Sequence, residues 1–296
     1  MRPYRREQRR FFWLFVCPAI ALYGLVFGAP IAGTVIYSFA KVGPRGDLSF
    51  RGLENYGAAL GDAFFWSSLL HSLVFTLEST ILLFIPGLFI AWCLSQPIRF
   101  RRFYRVVVFA PVVLSVLVAS LVWRFIFNPT WGLLNTFLRG IGLDQLAIPW
   151  LGDSRTAMFA VVIAAVWQSL GLWVVLISAG LERINPEIQE SARIDGASPR
   201  TEFFHISLPL LWPVLRTLIL LWVISALQLF AFVFVMTGGG PAGETEVVTS
   251  YIFGVAFTSQ RFGYAAALST IVLLAATCLA LGLGRILARP AYEDLG

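Results

Sequence analysis

The sequence predicts an all-α polytopic membrane protein with six transmembrane helices, and three observations carry that prediction. Hydrophobic residues make up 58% of the 296 and charged residues only 13%, more apolar side chain than one water-soluble core hides. The apolar residues gather into six segments, each long enough for the roughly twenty residues that cross about 30 Å of hydrocarbon. The remaining charge is sided, with a formal net of +6 in which Lys41 is the only lysine.

The first span, Phe12 to Tyr37, follows the basic run MRPYRREQRR at residues 1–10. A secretory leader with LFVC as a lipoprotein box competes for this stretch, but its apolar run exceeds the core of such a leader and the valine before Cys17 is bulky. The second span runs from Phe65 to Leu94, and the third, Val106 to Phe127, comes after the basic loop QPIRFRRFYR. The fourth covers Ala157 to Leu181, the fifth Leu210 to Met236 and the sixth Tyr264 to Leu287. Cys17, Cys93 and Cys278 lie far apart inside apolar runs and form neither a disulfide framework nor a CxxC metal site.

Arginine sets the orientation. With the N-terminus inside, fourteen basic residues fall on the cytoplasmic side (Arg2, Arg5, Arg6, Arg9, Arg10, Arg99, Arg101, Arg102, Arg105, Arg183, Arg193, Arg200, Arg285 and Arg289). Six fall outside (Lys41, Arg45, Arg51, Arg139, Arg155 and Arg261), with Arg124 and Arg216 within spans. Positive-inside bias therefore places both termini in the cytoplasm. It divides the chain into a basic segment 1–11, a transmembrane body 12–287 and a cytoplasmic tail 288–296. Membrane insertion accounts for the basic balance without nucleic acid.

A polar loop of about 184–209 joins spans four and five, with the sequence QESARIDGASPRTEFFHISLP at 189–209. Asn185 and Pro186 form a cap followed by a first-turn proline, Glu187 suits that first turn, and Gly196 supplies the stop. Ser198 and Pro199 restart the pattern, and a second helix runs through Phe203, Phe204 and Ile206 to Leu208 and Pro209. Ile188, Ala192 and Asp195 share one face of the first helix, an apolar ridge with Glu190 and Arg193 at its edges, shaped to lie in another protein's groove. A DNA-binding helix-turn-helix has the same outline, but one tethered between two spans cannot enter a major groove. His205 beside Glu202 has no second histidine or cysteine near it, so solvation or capping explains it better than metal binding. An ordinary polar connector is the remaining alternative.

The same stretch closely resembles the EAA motif of binding-protein-dependent ABC importer permeases, roughly EAAxxDGAxxxxxFxxIxLP. Glu190, Ala192, Asp195, Gly196, Ala197, Phe203 or Phe204, Ile206, Leu208 and Pro209 fall on the pattern, and Ser191 replaces its middle alanine. GLENY at 52–56, FAPVVLSVLVASLVWRFIFNP at 109–129, WGLLN, the WL of 150–151, TGGGP at 237–241 and YAAALS at 264–269 are similar to the carbohydrate-uptake branch. Within it, the chain resembles the maltose and glycerol-3-phosphate permease type. The resemblance implies a bacterial inner-membrane subunit paired with a second, related permease. It also implies that Glu190, Ser191, Ala192, Asp195, Gly196, Ala197, Ile206, Leu208 and Pro209 form a coupling helix and its surround, seated on a cytoplasmic ATPase dimer, and that an extracytoplasmic binding protein delivers a sugar.

The chain supplies no nucleotide site of its own. A phosphate loop needs GxxxxGK[ST], whereas Lys41 is followed by Val42. No GxSxG or HExxH occurs, and His71 and His205 are the only histidines. The expected subunit is therefore no enzyme and carries neither cofactor nor metal, while ATP and magnesium belong to the partner ATPase. A gradient-driven transporter or channel is the other function class, resting on Glu78 within span two. Arg124 lies near the outer end of its span and can snorkel there, so no Glu78–Arg124 pair is expected.

For the solute path, the resemblance points to Val112, Val116, Ser169, Leu172, Trp222, Ala226 and Leu229, most of which cannot hydrogen-bond. That departs from a maltose-like pocket. Trp167, Gln168, Ser169, Trp173, Trp222, Ser225 and Gln228 offer stacking faces and polar groups to a different carbohydrate, with helix packing as the alternative for each tryptophan. A polyol phosphate resembling glycerol 3-phosphate is the alternative solute. The glycine-rich outer stretch TGGGPAGETEVVTSYIFGVAF is expected to be a loop near the binding protein with Glu244 and Glu246 solvated; no lysine follows it as a phosphate cradle requires.

Overall fold

A computed structural model describes residues 3–42 and 47–288, with the side chains of residues 3–11 excepted. The side chains of the basic N-terminal segment, Arg45, and the expected tail from Arg289 onward therefore lie outside the described residues. The described residues are mostly helical. Its helices are α1 (Pro3–Tyr23), α2 (Ala29–Ser38), α3 (Glu54–Leu60), α4 (Ala63–Ser95), α5 (Arg101–Phe109), α6 (Val116–Ile126), α7 (Leu133–Gly140) and α8 (Ala157–Leu181). After α8 come α9 (Pro186–Ile194), α10 (Pro199–Glu202), α11 (Leu208–Leu210), α12 (Trp212–Leu227), α13 (Ala231–Met236), α14 (Val248–Phe253) and α15 (Phe262–Ile286). One antiparallel hairpin, β1 (Ala40–Val42) with β2 (Leu48–Phe50), follows α2.

Among the described residues, four stretches are long and apolar enough to cross a membrane unbroken: Phe12–Ser38, Ala63–Ser95, Ala157–Leu181 and Phe262–Ile286. They match the first, second, fourth and sixth expected spans to within two residues. The third and fifth are not straight rods. Arg101–Val113 and Val116–Ile126 meet at 102°, and Pro199–Leu210 meets Trp212–Leu227 at 64°. Counting each bent pair as one span restores six.

The first bend has a local cause. Pro111 lies in the 3-10 turn Ala110–Val113 and cannot donate to a preceding turn, after which Leu114 and Ser115 adopt extended ψ of 142° and 149°. Ser115 then restarts the helix by accepting from Val118 N at 3.3 Å. The expected fifth span ends early at Leu227 and resumes as α13. No proline or glycine in Gln228 to Phe230 announces that break.

Two compact units divide the chain. The first lies within Met1–Phe65 and Ile252–Leu274. There Asn55 donates to the carbonyls of Ser38 (2.8 Å) and Ala40 (3.0 Å), and Tyr56 and Ser38 share a hydroxyl bond of 2.6 Å, so the GLENY stretch staples the end of α2 to the hairpin. Tyr264, which opens YAAALS, donates to Asp62 Oδ2 at 2.6 Å. The second unit lies within Trp66–Tyr251 and Ala275–Gly296. Its core gathers Phe75, Leu83, Phe127, Ile177, Leu215 and Phe232 around α8. Fully buried Asn135 of WGLLN donates to Pro129 and Ile148 carbonyls and accepts from the Trp150 indole at 2.8 Å, tying WGLLN to WL.

Candidate coupling loop and transport cavity

The polar loop folds as two short helices with the expected caps. Asn185 Oδ1 accepts from Glu187 N at 3.1 Å, and Ser198 Oγ accepts from Thr201 N at 3.2 Å. Gly196 sits at φ +85°, where a Cβ is strained. Around it Ala197 N bonds to Ala192 O and Gly196 N to Arg193 O, the paired bonds of a Schellman stop. A π turn, Phe203–Ser207, and α11 carry the chain from α10 into α12. Arg193 Nε donates to Glu202 Oε2 at 3.0 Å, tying α9 to α10. The ring of Phe203 packs against Trp92 at 5.5 Å.

The structure corrects the face of α9. Ala192 is buried at 7% exposure, so the expected ridge of Ile188, Ala192 and Asp195 is not free along its length. Ile194, at 86%, projects outward instead, and Glu187, Glu190 and Ser191 share its side of the helix. Sequence reasoning missed Ile194, although its spacing from Glu190 and Glu187 is the signal that finds it. Asp195, Gly196 and Pro209 are exposed, Ala197, Ile206 and Leu208 are half-buried, and Glu202 is buried against Arg193. His205 Nδ1 lies 3.2 Å from the Thr201 carbonyl one turn back, with no metal-ligating group of three His, Cys, Asp or Glu among the described residues.

The second feature is a cavity of about 750 Å³. Val112, Leu114, Ser115 and Val116 of the first bend form one wall, and Gln168, Ser169, Leu172, Trp173 and Leu176 of α8 a second. The last comes from Leu218, Leu221, Trp222 and Ser225 of α12 and the break through Gln228 to Phe232. Six of the seven expected path residues thus meet in one cavity. Trp167 does not line it and packs edge-on against Trp123 at 5.7 Å. Ala226 is buried and also absent from the wall.

Several of the polar side chains are already engaged, among them Ser115 with Val118 N and Ser225 with the Leu221 carbonyl. Gln168 Nε2 donates to Leu114 O at 2.7 Å, satisfying a carbonyl that the bend releases from helical pairing. Trp222 Nε1 donates to Ser79 Oγ at 3.0 Å. The lining contains no lysine, arginine, aspartate or glutamate. Ser79 and Thr80 send their hydroxyls to Thr76 O, and Glu78 Oε2 is buried without a hydrogen-bond partner among the described residues. Arg124 reaches the Val235 carbonyl at 3.2 Å.

The outer glycine-rich loop closes on itself. Thr245 Oγ1 donates to the Gly240 carbonyl at 2.6 Å and lies 2.8 Å from Thr237 Oγ1, and Ser72 of α4 accepts from Val248 N at 2.9 Å. Glu246 is half-buried over Gly239 rather than solvated as expected, and burial pushes its carboxyl above the ordinary range. Its backbone carbonyl lies 3.1 Å from His71 Nδ1. Glu244 remains exposed.

The chain is 34% identical over 274 residues to a probable ABC transporter permease protein of Bacillus subtilis, YurN, covering 91% of this chain and 93% of that one. It is 32% identical over 277 residues to the trehalose/maltose transport system permease protein MalF of Thermococcus litoralis, covering 92% and 93%. A similar fold occurs in a chain of the bacterial ABC transporter involved in the import of the acidic polysaccharide alginate. There the TM-score is 0.85 at 19% identity, with 97% of this chain and 98% of that chain covered. Residues 84–290 match the family model of the binding-protein-dependent transport system inner membrane component. That span takes in both the polar loop and the cavity, and the ABC importer class displaces the gradient-driven one. The chain is therefore a multi-pass transport subunit that belongs to the inner-membrane components of binding-protein-dependent transport systems.

Proposed function

We propose that this permease carries a neutral sugar or small oligosaccharide, and that its loop at 185–209 couples the path to a separate cytoplasmic ATPase dimer. The observation that supports a sugar as solute is that several relatives matching about nine-tenths of the chain are named as sugar permeases; that the sugar is neutral rests on the cavity alone. Besides the trehalose/maltose protein, they include a diacetylchitobiose uptake system permease protein of Streptomyces coelicolor, 32% identical over 93% of this chain. The cavity supports the neutral reading, because its own lining offers no cation to a phosphate dianion. A polyol phosphate is therefore the poorer fit.

In this reading an extracytoplasmic binding protein presents the sugar, and a second permease completes the path. ATP and magnesium are held by the ATPase, since this sequence has no phosphate loop. Glu187, Glu190, Ser191 and Ile194 make the outward face of α9 that seats on that partner. Arginine bias puts this face and both termini in the cytoplasm and Ala242 outside.

Uptake by the assembled importer in vesicles tests the solute class. Its cognate binding protein should be loaded in turn with a neutral disaccharide and with glycerol 3-phosphate. The expected result is ATP-dependent uptake of a neutral sugar; uptake of the phosphate alone overturns the reading. Thiol labelling from outside should reach Ala242→Cys and not Arg200→Cys, and the reverse pattern overturns the orientation.

A further inference from the structure

Two contacts tie α5 to α8 and to the residue that follows it. At one, Gly171 faces α5 so closely that a Cβ there would fall within contact distance of the Val108 carbonyl and 2.7 Å from Phe109 Cα. At the other, Glu182, one residue past α8, receives Arg105 Nη2 at 2.6 Å and Arg101 Nη2 at 3.2 Å on the same oxygen. The Arg105 bond and the two guanidinium charges hold the Glu182 carboxyl below its ordinary range. Between these contacts the helices leave a gap of about 140 Å³ lined by Val108, Val174, Val175 and Ser178. With the clamp removed, the close approach at Gly171 remains as a point about which α5 can pivot.

Both ends of this junction lead somewhere. Glu182, Arg183 and Ile184 continue from α8 in hydrogen-bonded turns to the Asn185 cap, so α9 follows the clamp without slack. Arg101 and Glu182 also line a cavity of about 700 Å³ with Gln189, Arg193 and Glu202 of the loop. At the far end of α5, Ala110 to Leu114 turn into the bend that walls the transport cavity.

We propose that Glu182, with Arg105, Arg101 and Gly171, locks α5 to α8 so that displacement of α9 is delivered to the bend at 110–115 and reshapes the cavity. These are positioning residues for transport, and the proposal rests on the coupling role given to α9 above. Glu182 is 55% exposed and its arginines 36% and 35%, and ion pairs that open to water add little to stability. Loss of the clamp should therefore spare insertion and assembly while impairing the lever.

The test uses the complete importer with its binding protein in vesicles, reading ATPase co-purification, ATP hydrolysis and solute imported per ATP. Glu182→Arg and Arg105→Glu should each keep the ATPase subunit within twofold of wild type but lower solute per ATP at least tenfold. The double exchange restores one carboxylate between two guanidinium groups and should bring solute per ATP to within threefold of wild type. If Glu182→Arg fails to accumulate, Glu182→Gln takes its place, with at least a threefold loss expected. Wild-type coupling in the single variants, no rescue in an assembled double variant, or loss of the ATPase from Glu182→Arg each overturns the lever. Glu190→Lys in the same preparations separates the two claims: wild-type import there defeats the coupling role of α9, whereas its inactivity beside normal Glu182 variants defeats the lever alone.

Discussion

The polar loop and the transport cavity are held together in opposite ways. In the loop, Asn185 bonds two residues ahead, Ser198 three and Arg193 nine, so its form is settled within one short stretch. In the cavity the ties span the chain, with Gln168 to Leu114 across 54 positions and Trp222 to Ser79 across 143. A locally determined element can move as a body without losing its shape. A cavity closed by a few distant bonds between bent helices changes whenever one helix shifts. The contrast fits the different duties proposed for the two regions, the loop as a lever and the cavity as the part that responds.

Breaking the loop's internal stop gives the largest expected effect away from its proposed docking face. Gly196→Val leaves every charge in place but forces a β-branched residue to φ +85°, a cost of roughly 1 to 2 kcal/mol against the native turn. The ATPase should stay bound while solute uptake falls about tenfold. Uptake at the wild-type rate would show that the shape of this turn is irrelevant.

On the cavity side, Gln168→Leu removes the donor to Leu114 O, a part-buried bond whose net contribution is about 0.5 to 1.5 kcal/mol. Thermal stability in detergent should drop by a few degrees, and uptake should fall with the ATPase still bound. An unchanged Tm would mean that the bend needs no tie to α8.

A smaller effect belongs to the outer loop. Burial outweighs the opposing contributions of Ser250 and His71 and raises the Glu246 carboxyl above its ordinary value of 4.5. The folded chain then holds this proton more tightly than the unfolded chain. Its contribution to stability is complete below that ordinary value and is lost as pH rises through the raised one. Glu246→Gln should flatten this dependence and leave Tm at pH 7 equal or slightly higher; a clear loss at pH 7 would show that the charged form is the stabilised one.

Legibility follows the same division. Caps, first-turn prolines and the glycine stop act over a few residues, so the two loop helices and their boundaries could be read directly from Asn185, Pro186, Gly196, Ser198 and Pro199. The outward face of α9 was harder, because the burial of Ala192 depends on packing that spacing alone does not encode. Four spans were plain from apolar length alone. The bend at Pro111 was signalled but its 102° was not, and the break at Gln228 had no punctuating residue. In α8 the helical period separates Trp167 from Ser169, Leu172 and Leu176 by about half a turn, a signal strong enough to have kept Trp167 off the cavity face. That Gln168 and Trp222 spend their donors on Leu114 and Ser79 depends on contacts between segments, which composition and spacing do not encode.

The central claim is that α9 seats this permease on its ATPase, and Glu190→Lys tests it most directly. The substitution reverses charge on the exposed face beside Ile194 while leaving the caps and the Schellman stop untouched. A desolvated interfacial pair lost this way costs on the order of 2 to 5 kcal/mol. In the reconstituted importer with its binding protein, the variant should insert normally, lose the co-purifying ATPase subunit and import at least tenfold less solute. Normal ATPase retention with import at the wild-type rate would contradict the account and leave the loop a polar connector.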